Sequence, residues 1–245
     1  MALVETHALI LHAFPYGDTS RILRLLTPEL GLRSVIAKGA RNPRSRFGGI
    51  LEPFTEGVAL FNLREGRDLF TLSGFTLVRP RQGIGRDFAA FAGGSLIAEL
   101  ALRTGTEEPN VELYSAVTSA LDVLAEPRGQ PAIEGLAAIW RIVSILGFQP
   151  EMTACVRCGR SFEPGEPSRF DVEAGGAVCR SCRPTGRILD ATTREQVVRM
   201  TKGGGSPGEP ILLGLHGALL HSFLSAHLTP DRPLRSLALF LEQLR

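Results

Sequence analysis

The sequence predicts an α+β, multidomain protein: a small N-terminal β-barrel, then a mainly α-helical domain carrying a four-cysteine module. Three observations carry this expectation. Five short strand-like runs separated by turn residues fill the first 80 residues. After Pro80 the apolar spacing changes to the three-to-four-residue period of amphipathic helices. All four cysteines then fall in one Gly- and Pro-rich break at about residues 151–185. With 245 residues, 44% of them hydrophobic and 21% charged, the chain has a globular composition and the length of two domains.

The strands are expected at residues 3–13, 20–27, 32–37, 54–63 and 69–78, punctuated by PYGD at 15–18, PELG at 28–31 and REGRD at 64–68. Within 20–27, RILRLL could equally form a helical turn. Five short strands in so few residues fit a five-stranded OB-fold barrel. Helices are expected at 87–103, 111–125 and 131–147, with Asn110 and Gly147 as caps, and again at 192–201, 211–227 and 234–244. The run GGGSPGEP at 203–210 reads as an exposed loop between helices. The expected domains are thus 1–80, nucleic-acid-binding, and 81–245, helical with the cysteine insertion.

No apolar run approaches the roughly 20 residues needed to cross a bilayer. The N-terminus carries Glu5 and His7 without a basic leading region, so it reads as a strand and not a secretory signal. A cytoplasmic protein with no membrane partner is expected.

Cys155-Val-Arg-Cys158 and Cys179-Arg-Ser-Cys182 stand twenty residues apart. Two thiolates three residues apart can bite one cation from a tight turn, and two such turns complete a tetrahedron. The expected cofactor is one structural Zn2+ per chain, because four thiolates leave no open position for water. The rival readings are a redox pair, which would want a single such motif on a βαβ scaffold, and four unrelated buried thiols. Arg157, Arg160, Arg180 and Arg183 flank the sulfurs, but Glu163, Glu166, Asp171 and Glu173 lie between the pairs. These arginines are therefore read as surface charge that offsets thiolate charge.

Net charge is only +2, so any nucleic-acid site must be local. Residues 1–80 hold ten Lys/Arg against seven Asp/Glu, and no acidic residue lies between Glu29 and Glu52. In that gap Lys38, Arg41, Arg44 and Arg46 sit among Gly39, Gly48 and Gly49, a composition suited to phosphate oxygens. Phe47 offers a face on which a base could stack. The competing reading is an exposed hairpin kept soluble by its charge. The spacing is not that of a Walker A loop.

Phe54, Phe61, Phe70 and Phe75 are expected in the barrel core. His7 and His12, five apart, should point to opposite faces of one strand, and all five histidines are read as structural. No nucleophile elbow, His-Glu-x-x-His site or carboxylate pair stands out, so a non-enzyme is expected.

The stretch DTSRILRLLTPELGLRSVIAKGARNPRSRFGGILEPF resembles the N-terminal signature of the RecO recombination mediators. AAIWRIVSILGFQPEMTACVRCG is similar to their helix leading into the cysteine module, and RPLRSLALFLEQL to their closing helix. The resemblance implies a bacterial DNA-repair protein that binds single- and double-stranded DNA and anneals complementary strands. It implies partnership with RecR and with the acidic tail of the single-stranded-DNA-binding protein, so that RecA loads at gaps. Lys38, Arg41, Arg44 and Arg46 match the family's basic strand-loop, and Cys155, Cys158, Cys179 and Cys182 its metal ligands. An RNA- or ribosome-associated zinc-ribbon protein is the alternative, since OB-folds bind RNA as readily as DNA.

Overall fold

The computed structural model describes residues 2–64, 66–127, 129–183, 185, 187–204, 211–228 and 232–245. Five strands, β1 (Ala2–Tyr16), β2 (Ser20–Thr27), β3 (Gly31–Ala37), β4 (Glu56–Leu63) and β5 (Leu69–Arg79), close into a barrel in the order β1-β2-β3-β5-β4. All pairings are antiparallel except β3 with β5, which gives the OB-fold topology. Directly paired residues share a face of the sheet. Ile10 with Leu25 and Ala13 with Leu23 therefore point into the barrel, where Val35, Phe61, Phe70 and Leu72 meet them.

Several expectations change here. β4 starts at Glu56 rather than at residue 54, because Phe54 has φ 70, a left-handed conformation no strand residue adopts. Its N–H instead donates to Ile10 O at 2.7 Å, and Phe54 is buried outside the barrel cluster that holds Phe61 and Phe70. β1 also runs past residue 13 to Tyr16, with a bulge between Ile10 and His12. The extra residue reverses the in-out alternation, so His7 and His12 are both exposed and not on opposite faces.

Six helices follow: α1 (Phe88–Thr104), α2 (Val111–Leu124), α3 (Pro131–Ile145), α4 (Ala191–Thr201), α5 (Leu213–His227) and α6 (Arg235–Glu242). The Asn110 side chain caps α2 by accepting from Leu113 N–H at 2.8 Å. A three-stranded sheet, β6 (Ser168–Asp171), β7 (Gly176–Val178) and β8 (Ile188–Leu189), lies between α3 and α4. Residues 205–210 of the expected 203–210 loop lie outside the described residues.

The chain divides into two compact units, residues 1–87 with 97–127 and residues 88–96 with 128–245, so the division falls within α1. In the first unit a buried guanidinium ties β4 to α2. Arg81 donates from Nε to Asp122 and from Nη2 to Glu56, both at 2.6 Å, and reaches the carbonyls of Phe54 and Thr118. Glu56 also accepts from the Tyr114 hydroxyl at 3.0 Å, and burial, then Glu56, raises the Tyr114 pKa, keeping its proton on. In the second unit Trp140 and Phe223 pack at a tilt with centroids 5.5 Å apart, and Gly135 leaves room for the Phe240 ring. His216 is fully buried with Nε2 at 2.8 Å from Gln196 Oε1.

Removing the central cation strands partly buried carboxylates, so Arg81→Ala should cost about 3 kcal/mol in a urea unfolding experiment. Arg81→Lys should recover little of that, because an ammonium cannot fork between Glu56 and Asp122. A second expectation concerns acid. Burial holds the His216 imidazole down to about 4, against about 6.5 in an unfolded chain. Between those values the unfolded state binds the extra proton, so stability present above pH 6.5 is lost as pH falls toward 4. The loss amounts to roughly 2–3 kcal/mol and should be absent from the acid limb of His216→Leu.

Candidate nucleic-acid interface and metal centre

The segment from Lys38 to Thr55 links β3 to β4 and is not a hairpin. It is a succession of tight turns: Asn42 N–H donates to Gly39 O, Ser45 to Asn42, Gly48 to Ser45 and Ile50 to Phe47. Gly39, Gly48 and Gly49 supply the positive φ these turns need. The segment is pinned because Phe47 and Leu51 enter the barrel core, with Ala40 and Ile50 packed against it. Phe47 is only 3% exposed, so the expectation that it offers a stacking face is corrected: the ring anchors the loop.

All four expected cations are exposed, but they are held differently. Arg41 lies against the β1–β2 turn, its N–H donating to Thr19 O at 2.8 Å and its Nη1 to Gly17 O at 3.2 Å. Arg46 reaches back to Leu72 O at 3.4 Å and covers the Phe47 ring at 4.9 Å. Lys38 and Arg44 have no hydrogen-bond or ion-pair partner among the described residues. Glu52, the first acidic residue after the gap, is taken up by Arg21 at 2.6 Å and leaves the loop charge intact.

The cysteine turns are brought together by backbone pairing. Val156 N–H donates to Ala177 O and Ala177 N–H to Glu151 O, which lays β7 along the first Cys-x-x-Cys turn. Gly176 permits the approach, since a Cβ there would stand 2.5 Å from Glu151 O. Gly159, φ 72, closes the first turn by donating to Cys155 O. The four Sγ atoms lie within 4.8 Å of one another, with Cys158 and Cys179 at 3.9 Å. A tetrahedron with metal–sulfur bonds of about 2.3 Å has edges of about 3.8 Å, so the donor set fits one metal ion.

The electrostatics agree. Burial opposes ionisation of Cys155, but the N–H groups of Cys179 and Cys158 outweigh it and bring the thiol down to about 6. Cys182 is instead pushed up to about 12 by Cys179 and Cys158 beside it. Without a cation the cluster stabilises part of its negative charge and resists the rest; a thiophilic divalent ion removes that conflict. Of the flanking arginines, Arg157 pairs with Asp171 at 2.6 Å, Arg183 with the same carboxylate at 3.7 Å, and Arg160 with Glu166 at 2.5 Å. Three of the four are therefore committed inside the module.

A closed OB-type barrel with an exposed cationic loop, followed along the chain by helices and a four-thiol centre, defines the class of architecture. Comparison with known proteins narrows it. The family described as "Recombination protein O N terminal" matches residues 1–81, and "Recombination protein O C terminal" matches residues 85–238. The DNA repair protein RecO of Anaeromyxobacter sp. (strain K) is 36% identical over 218 residues, covering 86% of this chain and 85% of that protein. RecO of Syntrophotalea carbinolica is 32% identical over 252 residues, covering 98% and 94%. RecO of Rubrobacter xylanophilus is 36% identical over 186 residues, covering 75% and 73%. The chain belongs to the RecO family. No described helix is long and apolar enough to cross a membrane.

Titrating metal-free protein with Co2+ should reveal one tetrahedral thiolate site per chain by its charge-transfer absorbance. Cys158→Ser should weaken that site sharply, because three thiolates no longer close the shell.

Proposed function

We propose that this chain is a non-enzymatic DNA repair mediator that binds single- and double-stranded DNA and anneals complementary strands. Together with RecR it helps RecA load at gaps covered by the single-stranded-DNA-binding protein. Family membership supports the repair role, and the single observation that carries DNA binding is the cationic loop fastened to a closed barrel. Residues 1–80 serve as the nucleic-acid-binding domain through Lys38, Arg41, Arg44 and Arg46. Residues 81–245 form the helical domain, which receives the acidic tail of the single-stranded-DNA-binding protein. Cys155, Cys158, Cys179 and Cys182 hold one Zn2+ that staples residues 151–185 and takes no part in chemistry. The protein works in the bacterial cytoplasm at the nucleoid.

The physical basis is charge neutralisation. Two strands repel through their phosphates, and side chains that replace condensed counterions lower that repulsion without reading sequence. Lys38 and Arg44 are the cations that can engage phosphate without giving up an existing bond. Arg46 must leave the Leu72 carbonyl and the Phe47 ring. The relatives named above are DNA repair proteins, so the RNA- or ribosome-associated alternative gains no support.

Replacing all four cations by alanine should flatten the salt dependence of single-strand binding, changing the log–log slope by roughly 3. Among single variants, Lys38→Ala and Arg44→Ala should weaken binding more than Arg46→Ala. An unchanged slope in the quadruple variant would reject the loop as the phosphate site. Annealing of complementary oligonucleotides should slow in the same order.

A further inference from the structure

The outer face of β1, beyond its bulge, carries three rings in a row. Beyond the bulge, where alternation resumes in the opposite phase, His12 pairs with Arg24, Phe14 with Ile22 and Tyr16 with Ser20, all turned away from the barrel core. Tyr16 is 53% exposed and Phe14 38%, high values for aromatic side chains beside a closed core. The His12 and Phe14 rings meet edge-on, with centroids 5.6 Å apart. None of the three is needed to fill the barrel, whose cluster lies on the opposite face.

The surroundings of this ladder are cationic. The row continues from Phe14 through Ile22 to Ile36 on β3, and Lys38 leaves β3 one step beyond the last pair, Arg21 with Ala37. Arg41 is hydrogen-bonded to the turn that immediately follows Tyr16. Arg24, opposite His12, has a buried Nε with no partner among the described residues. The one acidic residue of that turn is Asp18.

We infer that His12, Phe14 and Tyr16 form a base-stacking ladder for single-stranded DNA, with the phosphates led toward Lys38 and the cationic loop. This rests on the DNA-binding reading above and adds to it a basis for choosing single strands. Alternate residues on a strand recur about every 6.8 Å and the His12 and Phe14 ring centroids stand 5.6 Å apart, whereas bases in a duplex rise about 3.4 Å per step. Successive rungs can therefore hold only bases that have separated from one another. A duplex, whose bases are stacked and paired, meets the loop but not the rings. Phosphate contacts thus serve both forms of DNA, and the ladder serves one.

The test compares wild type, Phe14→Ala/Tyr16→Ala and the quadruple loop variant on oligo(dT), an abasic oligonucleotide of equal length, and a duplex. The ring variant should bind oligo(dT) about tenfold or more weakly, with abasic and duplex binding and the salt slope unchanged. The loop variant should lose affinity for all three. Phe14→Leu/Tyr16→Leu, which keeps apolar area and removes the rings, should behave as the alanine pair does, and thermal unfolding should show both folded. An oligo(dT) affinity equal to wild type, or an equal loss on all three probes, overturns the ladder and leaves the loop reading standing. Wild type that binds none of the probes overturns the DNA-binding reading itself.

Discussion

The first unit of this molecule depends on the buried guanidinium of Arg81. Its planar fork reaches both the entry to β4, at the Phe54 carbonyl and Glu56, and α2, at Asp122 and the Thr118 carbonyl. Burying a charge is tolerable only when its donors are satisfied, and here Nε, Nη1 and Nη2 all find oxygen. The local backbone is shaped for it: Arg81 itself has φ 47, and Phe54 has φ 70. Two left-handed residues are held by one network, which the Arg79 pair with Asp122 and the Tyr114 bond to Glu56 extend.

That arrangement divides the outer surface of the barrel. On one half, Leu26 and Leu32 face each other across β2 and β3 and are buried. Leu32 N–H donates to Thr106 O, and Gly105 lies against its side chain. On the other half the same strands carry Ile22, Arg24, Ser34 and Ile36, which are only partly buried. The cationic loop borders this free half because Phe47 and Leu51 sink into the core and Arg41 binds the β1–β2 turn. Apolar anchoring, rather than charge, sets where the cations stand.

The four-thiol centre follows a similar logic on a smaller scale. The apolar cluster at the sulfurs is small, made of Cys155, Val178 and Cys179 with Val156 and Phe162 packed against them. Backbone pairing of β7 with residues 151–156 gathers the sulfurs, and a metal ion would supply the cross-link that the small core lacks. Asp171, nearly buried, takes Arg157 and Arg183, and Arg160 takes Glu166, so the module balances its charge internally.

Much of this was legible in the sequence. The two Cys-x-x-Cys turns marked the thiol centre because chelation is a local property of spacing. The strand-like runs punctuated by turn residues in the first 80 residues, the change of period after Pro80 and the cap at Asn110 indicated the barrel-then-helices order because these signals act within a few residues. What remained hidden depends on contacts far apart in the chain. Phe47 reads as a surface ring beside four cations, yet it enters the barrel core, and Arg46 beside it reaches the Leu72 carbonyl 26 positions along the chain. Phe14 and Tyr16 lie past the expected end of the first strand, beside and within the PYGD turn signal, until the longer β1 and its bulge turn them outward with His12. Arg81 looks like any basic residue after a strand until Glu56 and Asp122 converge on it. Local chemistry is written along the chain, but which face a ring presents and which charges remain free are settled by tertiary packing, because burial depends on neighbours that sequence distance does not record.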